Sequence, residues 1–439
     1  MDHFGLNWIG KERSLAAAVE GSNASLIPRN EASSNDPKLA HTTHEVIEGD
    51  NFEVLCCLRT RDFKADLIYI DPPYNTGNAF IYSDKAKLTH ENMIPEVDQC
   101  LTPQQRSHSA WLSLMYSRLL VARDLLSTRG SIWVSIDDHE LGLLQVMMRE
   151  IFGEENHIAT IITCLNPKGR QLGRFAINHE YLLVFSKEIS QCELKYATKE
   201  AVNPKDFRHQ DERGYYRYLP LRNSNKRFNP VTRPTLYYPL YVETATGRVS
   251  AEFHSGWTEV YPLFGSGERA VWRWSKKKVT NCMEQLEGSL IKGRLGSRWD
   301  VRQKDYNSEQ RTKKLKTVWT SDEIGSTDEA AREIKSLGLA LFETPKPTRL
   351  LRRILSLSPK DSIVLDFFAG SGTTGEATLR QNLSDGGTRR FILVESGNKT
   401  KDDRFETICA ITRTRVKAVK SRIGSEIEIR GWNCSPLHP

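Results

Sequence analysis

The sequence predicts an α/β fold: a doubly wound, mostly parallel sheet whose two halves are separated by an inserted region. Three observations lead there. Short apolar runs bounded by polar residues alternate with longer segments of helical periodicity, the pattern of strands buried on both faces and joined by crossover helices. The alternation breaks off near Glu188 and resumes after Thr320. The stretch between is basic and aromatic-rich, unlike its flanks.

Residues 1–44 read as an N-terminal extension. It begins with the apolar-basic Leu6-Asn7-Trp8-Ile9-Gly10-Lys11, and Glu31 to Pro37 forms a polar, turn-rich surface connection. Residues 45–187 make the first half of the sheet domain. Val46 to Asp50 is a short strand ending in an acidic turn, Asn51 to Leu58 a helix, and Ala65 to Ile70 a strand buried on both faces. A helix from Ser109 to Leu126, stopped by Gly130, leads to the strand Ser131 to Ile136. The helix Leu141 to Phe152 and the strand Tyr181 to Phe185 follow. After the insert, 188–320, the second half (321–425) carries helices over Glu329–Leu339 and Thr348–Leu357 and the strand Ile363 to Asp366. A helix over Gly372–Gln381, the strand Arg390 to Glu395 and a helix over Phe405–Lys420 complete it, leaving 426–439 as a tail.

Composition narrows the class. With 439 residues, 38% of them hydrophobic, the chain supports a sizeable core and more than one domain. No run approaches the roughly 18 apolar residues of a membrane span, and the first residues show no basic patch followed by an apolar stretch. The cysteines (Cys56, Cys57, Cys100, Cys164, Cys192, Cys282, Cys409 and Cys434) include no Cys-x-x-Cys pair, which disfavours both a structural zinc site and a disulfide framework. A soluble protein of a reducing compartment, the cytoplasm, is expected.

The formal charge is +7, unevenly spread: Glu188 to Thr320 holds 25 basic and 15 acidic residues, against 37 and 40 in the rest. The same stretch holds 18 of the 39 aromatics. Its densest cluster is Arg269, Arg273, Lys276, Lys277 and Lys278 with Trp272 and Trp274 interleaved. Charge alone fits a polyanion-binding insert and an aromatic-cored domain with a solvated basic surface about equally.

Two constellations carry chemistry. Asp71-Pro72-Pro73-Tyr74 directly follows a strand, where ligands of open α/β sheets bind. The prolines stiffen the backbone and leave carbonyls free to accept. A carboxylate, an oriented carbonyl and an aromatic ring suit a flat heterocycle with an exocyclic amine; a structural turn is the bland alternative. Asp366-Phe367-Phe368-Ala369-Gly370-Ser371-Gly372 also follows a strand and opens a helix. Gly370 and Gly372 allow a tight turn and close ligand approach, or simple close packing. Glu395 ends the next strand where an acid would meet ribose hydroxyls, or is only a charged strand end.

Together these segments resemble the S-adenosylmethionine-dependent N6-adenine and N4-cytosine amino-methyltransferases of DNA. The order is that of the β class, and the closest resemblance is to Mod subunits of type III restriction-modification systems. It runs through Ile47 to Asn51, Tyr69 to Gly77, Trp111 to Leu119, Ile136 to Asp138, Glu150 to Gly153 and His179 to Tyr181, then Phe342 to Pro347 and the glycine loop. The resemblance implies a Rossmann-like methyltransferase fold with an inserted target-recognition region. It implies that Asp71, Pro72, Pro73 and Tyr74 hold a flipped target base. Asp50, Lys346, Pro347, Asp366, Phe368, Gly370, Gly372 and Glu395 would surround S-adenosylmethionine. Arg269, Arg273, Lys276, Lys277 and Lys278 would meet DNA phosphates. Duplex DNA, a restriction (helicase–nuclease) subunit and a second copy of the chain are the implied partners. The Asp at the head of the catalytic loop tilts the target toward adenine. N4-cytosine methylation and a non-catalytic specificity subunit positioning a nuclease are the rival readings.

Overall fold

The computed structural model describes residues 5–29, 43–76, 102–169, 174–195, 197–199, 206–293, 296–307, 312–339, 345–400, 404–424 and 427–436. The expected connection at 31–37, Cys100, Gly77 and residues 342–344 of the quoted motifs lie outside them. The chain forms two compact units: residues 1–196 with 315–439, and residues 197–314.

The first unit is built on a ten-stranded sheet. Its strands, in chain order, are β1 (Ala24–Pro28), β2 (His44–Glu48), β3 (Ala65–Ile70), β4 (Leu126–Ile136) and β5 (His157–Thr163), then β6 (Glu180–Ser186), β7 (Val318–Trp319), β8 (Ile363–Asp366), β9 (Arg390–Glu395) and β10 (Ile429–Pro436). Their spatial order is β1-β10-β2-β9-β8-β3-β4-β6-β5-β7. From β10 through β4 every pairing is parallel; β6 runs antiparallel to both β4 and β5, and β1 is antiparallel to β10. Successive residues of each central strand face opposite sides. Ile68, Ile132, Leu365 and Ile392 pack beneath helices Asn51–Thr60, Pro103–Leu125 and Leu141–Phe152. Leu67, Trp133, Val364 and Leu393 pack beneath Thr348–Leu357, Thr373–Asp385 and Ile408–Arg422. Burial on both faces explains why these strands read as unbroken apolar runs.

Several expectations need correcting. The helix expected to end at Leu126 ends at Leu125, but Gly130, read as its stop, lies inside β4. A Cβ there would meet the Asp66 carbonyl at 2.9 Å, beside an irregularity in the β3–β4 pairing, so this glycine marks close backbone approach rather than a helix stop. The helix also starts earlier, at Pro103 behind a Thr102–Gln105 capping box. The extension contributes helix Lys11–Glu20 and β1, and the segment read as a tail contributes β10, seated between β1 and β2. Strand β5, which no local pattern announces, pairs with β6.

The second unit begins and ends inside the expected insert. It holds a four-stranded antiparallel sheet, ordered Leu286–Gly293, Gly296–Tyr306, Gly214–Pro220, His209–Asp211, and a three-stranded one centred on Leu240–Val242. Trp272 and Trp274 are buried in its core with Leu221, Val242 and Val301. The interleaved tryptophans therefore belong to the interior and not to a basic–aromatic surface. Alternation sends Arg273 outward between the two tryptophans, and Lys276 to Lys278 are exposed on the first turn of the short helix Lys276–Asn281. Among the described residues no helix is long and apolar enough to cross a membrane, and no cluster of His, Cys, Asp and Glu is set to hold a metal ion.

Candidate active site

Because β2, β9, β8 and β3 run parallel, their carboxyl ends lie along one edge, which carries Asp50, Glu395, Asp366 and Asp71 in turn. Adjacent β3 and β8 lead away in opposite directions across the sheet, the reversal at which open α/β sheets bind ligands.

Asp71 Oδ1 accepts the Tyr74 hydroxyl at 2.7 Å and pairs with Lys346 Nζ at 3.1 Å. The Lys346 ammonium also reaches Tyr74 Oη (2.7 Å) and Glu180 Oε2 (2.8 Å). Lys346 was expected beside the cofactor; the structure seats its charge on the catalytic loop, while Pro347 caps helix Thr348–Leu357. Among the described residues Asp71 Oδ2 and the Pro72 carbonyl accept no hydrogen bond. The Pro73 carbonyl is taken by the Trp111 indole N–H at 2.6 Å. Asn75 closes the loop in the left-handed region (φ 54°), its side chain donating to the fully buried Glu140 and accepting from Ser107.

Burial pushes the Asp71 carboxyl upward, with Lys346 pulling it down and Glu180 adding to the rise. Burial also raises the Tyr74 phenol well above its ordinary range, reinforced by Asp71 and Glu180. Burial works against the charge on Lys346, but Asp71 and Glu180 outweigh it and hold the ammonium above its usual range. With both carboxylates ionised, the group carries one net negative charge.

The glycine loop is braced from several sides. Asp366 accepts the Phe368 N–H and the Thr374 hydroxyl, and burial pushes its carboxyl up to about 7. Glu395 Oε2 accepts the Gly370 N–H at 2.6 Å, so this acid sits against the loop. Gly370 and Gly372 have φ of 52° and 83°, and a Cβ on Gly372 would meet the Thr412 carbonyl at 3.2 Å. The Phe368 ring is buried 5.3 Å from that of Phe367. Behind the loop, fully buried Arg415 donates Nε to Glu376 and Nη1 to the hydroxyls of Ser371 and Thr373, each at 2.8 Å. Asp50 caps helix Asn51–Thr60 through the Phe52 and Glu53 N–H groups and pairs with Arg118 at 3.2 Å. Arg118 also donates to Asn51, whose amide donates to the Phe367 carbonyl at 2.9 Å, joining the Asp50 turn to the glycine loop.

Sequence reasoning gave no role to Glu180, Asn51, Arg118, Trp111, Glu140 or Arg415. Arg118 offered a signal, a cation within the apolar run of its helix. Glu180 lies within His179 to Tyr181, one of the segments that carry the resemblance, but its place near Asp71 follows from the seat of β6 beside β4, which is not written in local pattern. In the second unit the Arg269 guanidinium lies over Tyr237, Arg273 donates to Gln303, and Lys278 lies 4.4 Å from the Trp274 ring centroid. The ammonium groups of Lys276 and Lys277 have no partner among the described residues.

One edge thus offers a carboxylate oxygen and a carbonyl as open acceptors beside a tethered aromatic ring, next to a glycine loop opening a helix. A DNA methylase family, that of N6 and N4 methyltransferases, matches residues 65–406. The type III restriction-modification enzyme EcoPI Mod subunit of Escherichia phage P1 is 33% identical, over 95% of this chain and 68% of its own length. The type II methyltransferase M.KpnI of Klebsiella pneumoniae is 34% identical over 82% of each chain. The solved complex of M1.HpyAVI with SAM aligns over 84% of this chain and 98% of that one, at 13% identity and a TM-score of 0.37, too loose a likeness to transfer detail. Family match and relatives agree with the loops at the sheet edge, and the chain belongs to the N6/N4 DNA methylase family.

Proposed function

We propose that the protein methylates the N6 amine of adenine in duplex DNA, with S-adenosylmethionine as donor, as the modification enzyme of a restriction–modification system. The observation that carries this reading is the pair of open acceptors, Asp71 Oδ2 and the Pro72 carbonyl, beside Tyr74. An exocyclic amine has two hydrogens to donate, and its lone pair is delocalised into the ring. Accepting both hydrogens favours a pyramidal nitrogen with its lone pair free to attack, which is positioning and electrostatic catalysis. Tyr74, its hydroxyl tied to Asp71, offers a ring face of fixed orientation for the flipped base.

The residues present fit the donor. The glycine loop has a close-approach shape that a side chain on Gly372 would crowd against Thr412, and it opens a helix whose first turn has unpaired N–H groups suited to a carboxylate. Gly370, Gly372 and Phe368 would hold the donor's methionine end, with Pro347 at the head of the neighbouring helix. Glu395 would take the ribose hydroxyls, Asp50 would approach the adenine end, and Asp366 would hold the loop's shape. S-adenosylmethionine supplies a methyl group on a sulfonium centre, electrophilic enough for direct displacement by an amine.

Arg269, Arg273 and Lys276 to Lys278, all exposed, would supply salt-dependent affinity for phosphates. The naming of relatives as Mod subunits supports a restriction subunit as partner, and a homodimer is proposed with it, in the cytoplasm. The test is nucleoside analysis of unmethylated duplex DNA incubated with protein and donor. N6-methyladenine is expected, absent with Asp71→Ala although the variant still binds donor. N4-methylcytosine would overturn the choice of base. No methylated base, with DNA and donor binding intact, would favour a specificity subunit.

A further inference from the structure

The site holds a second carboxylate that neither the motifs nor the family assignment gives a task. Glu180 opens β6, across β4 from the catalytic loop on β3. Its Oε2 competes with Asp71 Oδ1 for the same two donors. Lys346 Nζ lies 2.8 Å from Glu180 and 3.1 Å from Asp71; the Tyr74 hydroxyl lies 3.1 Å and 2.7 Å away respectively. A phenol has one hydrogen, so Tyr74 can donate to only one carboxylate at a time. Lys346 is 9% exposed, which keeps its interactions with both acids poorly screened.

The consequence falls on Asp71. If Lys346 and Tyr74 had Asp71 as their only acceptor, both would draw its charge toward Oδ1. The open oxygen, Oδ2, would then be a weaker acceptor for an amine. A second acid draws part of each donor away. We propose that Glu180 is a positioning residue that shares Lys346 and Tyr74 with Asp71 and thereby sets the acceptor strength of Asp71 Oδ2. The kinetic consequence rests on the amine-methylation reading; the effect on Asp71 itself does not.

Charge counting makes the inference testable. The wild-type triad Asp71, Glu180 and Lys346 sums to −1. Glu180→Gln makes it 0, Lys346→Met makes it −2, and the double variant returns it to −1. The other groups facing the triad are the Tyr74 phenol, the Tyr69 hydroxyl on β3, bonded to Ser135 at 2.9 Å, and Asp366 at the end of β8. All are unchanged across the series.

The first measurement is the titration of Asp71 in donor-free, DNA-free protein labelled with 13Cγ-aspartate, its resonance assigned by loss in Asp71→Asn. The midpoint is expected to fall in Glu180→Gln by about one pH unit or more, rise in Lys346→Met, and return toward wild type in the double variant. The second is the pH profile of the single-turnover methylation rate on preformed enzyme–DNA complex. Glu180→Gln is expected to be about 10- to 100-fold slower, by analogy with the loss on removing a hydrogen-bond partner that orients a metal ligand. Its acid limb should shift to lower pH, with donor affinity within twofold of wild type. Glu180→Asp, which keeps the charge, should recover part of the rate.

An unchanged Asp71 midpoint in Glu180→Gln overturns the inference, as does a slowed variant with an unmoved acid limb. If Glu180→Gln does not fold, Lys346→Met decides: a midpoint that fails to rise overturns it. A wild-type enzyme that forms no methylated base refutes the proposed function and leaves the titration series to decide this inference separately.

Discussion

Replacing Arg415 with Met tests the brace behind the glycine loop. Arg415 is fully buried and donates to Glu376, Ser371 and Thr373 at 2.8 Å each, and to Thr348 at 3.5 Å. Methionine matches much of its length but leaves Glu376, 2% exposed, without its main partner. Removing one member of a buried pair costs about 3–5 kcal/mol. Arg380 remains 2.7 Å from the other Glu376 oxygen, which places the expected loss at the low end, about 3 kcal/mol. At about 2 °C per kcal/mol for a large unit, the midpoint of thermal unfolding should fall by about 6 °C. Adding Glu376→Gln removes the stranded charge, so the double variant should recover part of the loss. The loss also depends on pH. Burial works to raise the Glu376 carboxyl, but Arg415 and then Arg380 outweigh it and hold it below its ordinary range. A lowered folded-state pKa stabilises above the unfolded value, about 4.3, and the benefit disappears as pH falls through the folded value. The gap between wild type and Arg415→Met should therefore be full at pH 7 and shrink below about pH 4. Thermal scans across pH read the gap, and calorimetry should show weaker donor binding as the loop loosens. A variant as stable as wild type at pH 7, or a double variant worse than the single, would refute the reasoning.

Other outcomes follow from the same geometry. Trp111→Phe keeps the packing but deletes the donor to the Pro73 carbonyl; it should cost about 1–3 kcal/mol in urea unfolding and lower the single-turnover rate more than donor affinity. Asp366, pushed up to about 7 by burial, carries a raised folded-state pKa, so its contribution to stability is lost as pH rises from about 4 toward 7. Asp366→Asn should thus gain thermal stability relative to wild type between pH 5 and 8, and a gap that does not change with pH would count against a buried carboxyl titrating there. Replacing Lys276, Lys277 and Lys278 with Gln should flatten the log–log salt dependence of DNA affinity by up to ~0.9 for each phosphate no longer neutralised, without changing donor affinity; an unchanged slope would remove these lysines from the DNA surface.

The parts of the fold visible in sequence were those whose signal is local. Leu141–Phe152 and Thr348–Leu357 were bounded to the residue because each carries a clean helical stripe between polar turns. Central strands such as Ala65–Ile70 were legible because burial on both faces leaves no polar alternation. What escaped depends on sheet order. Segment 429–436 looks like a polar tail until β2 is seen beside it, and Glu180 looks like a strand end until β4 brings it to Asp71. Trp272 and Trp274 misled for a related reason. Alternation along the extended segment turns Trp272 and Trp274 inward and Arg273 outward, while Lys278, a helical turn on, lies over the Trp274 ring. The candidate site followed the same rule: Asp71, Tyr74 and the glycine loop announced themselves by motif, while the groups that hold them came from distant helices.

The seat of β10 bears on how the protein is made. Strand β2 lies near the start of the chain, yet both its neighbours, β9 and β10, lie more than 300 residues downstream, and β8, the partner of β3, follows almost as late. At synthesis rates of about 5–20 residues per second, β2 and β3 wait roughly 15–70 s on the ribosome before any of these neighbours exists. Their apolar edges must be shielded through that interval, whereas every strand of the second unit finds its partners within residues 197–314. The sheet edge that carries the catalytic groups should therefore be the slowest part of the nascent chain to mature and the most dependent on chaperones.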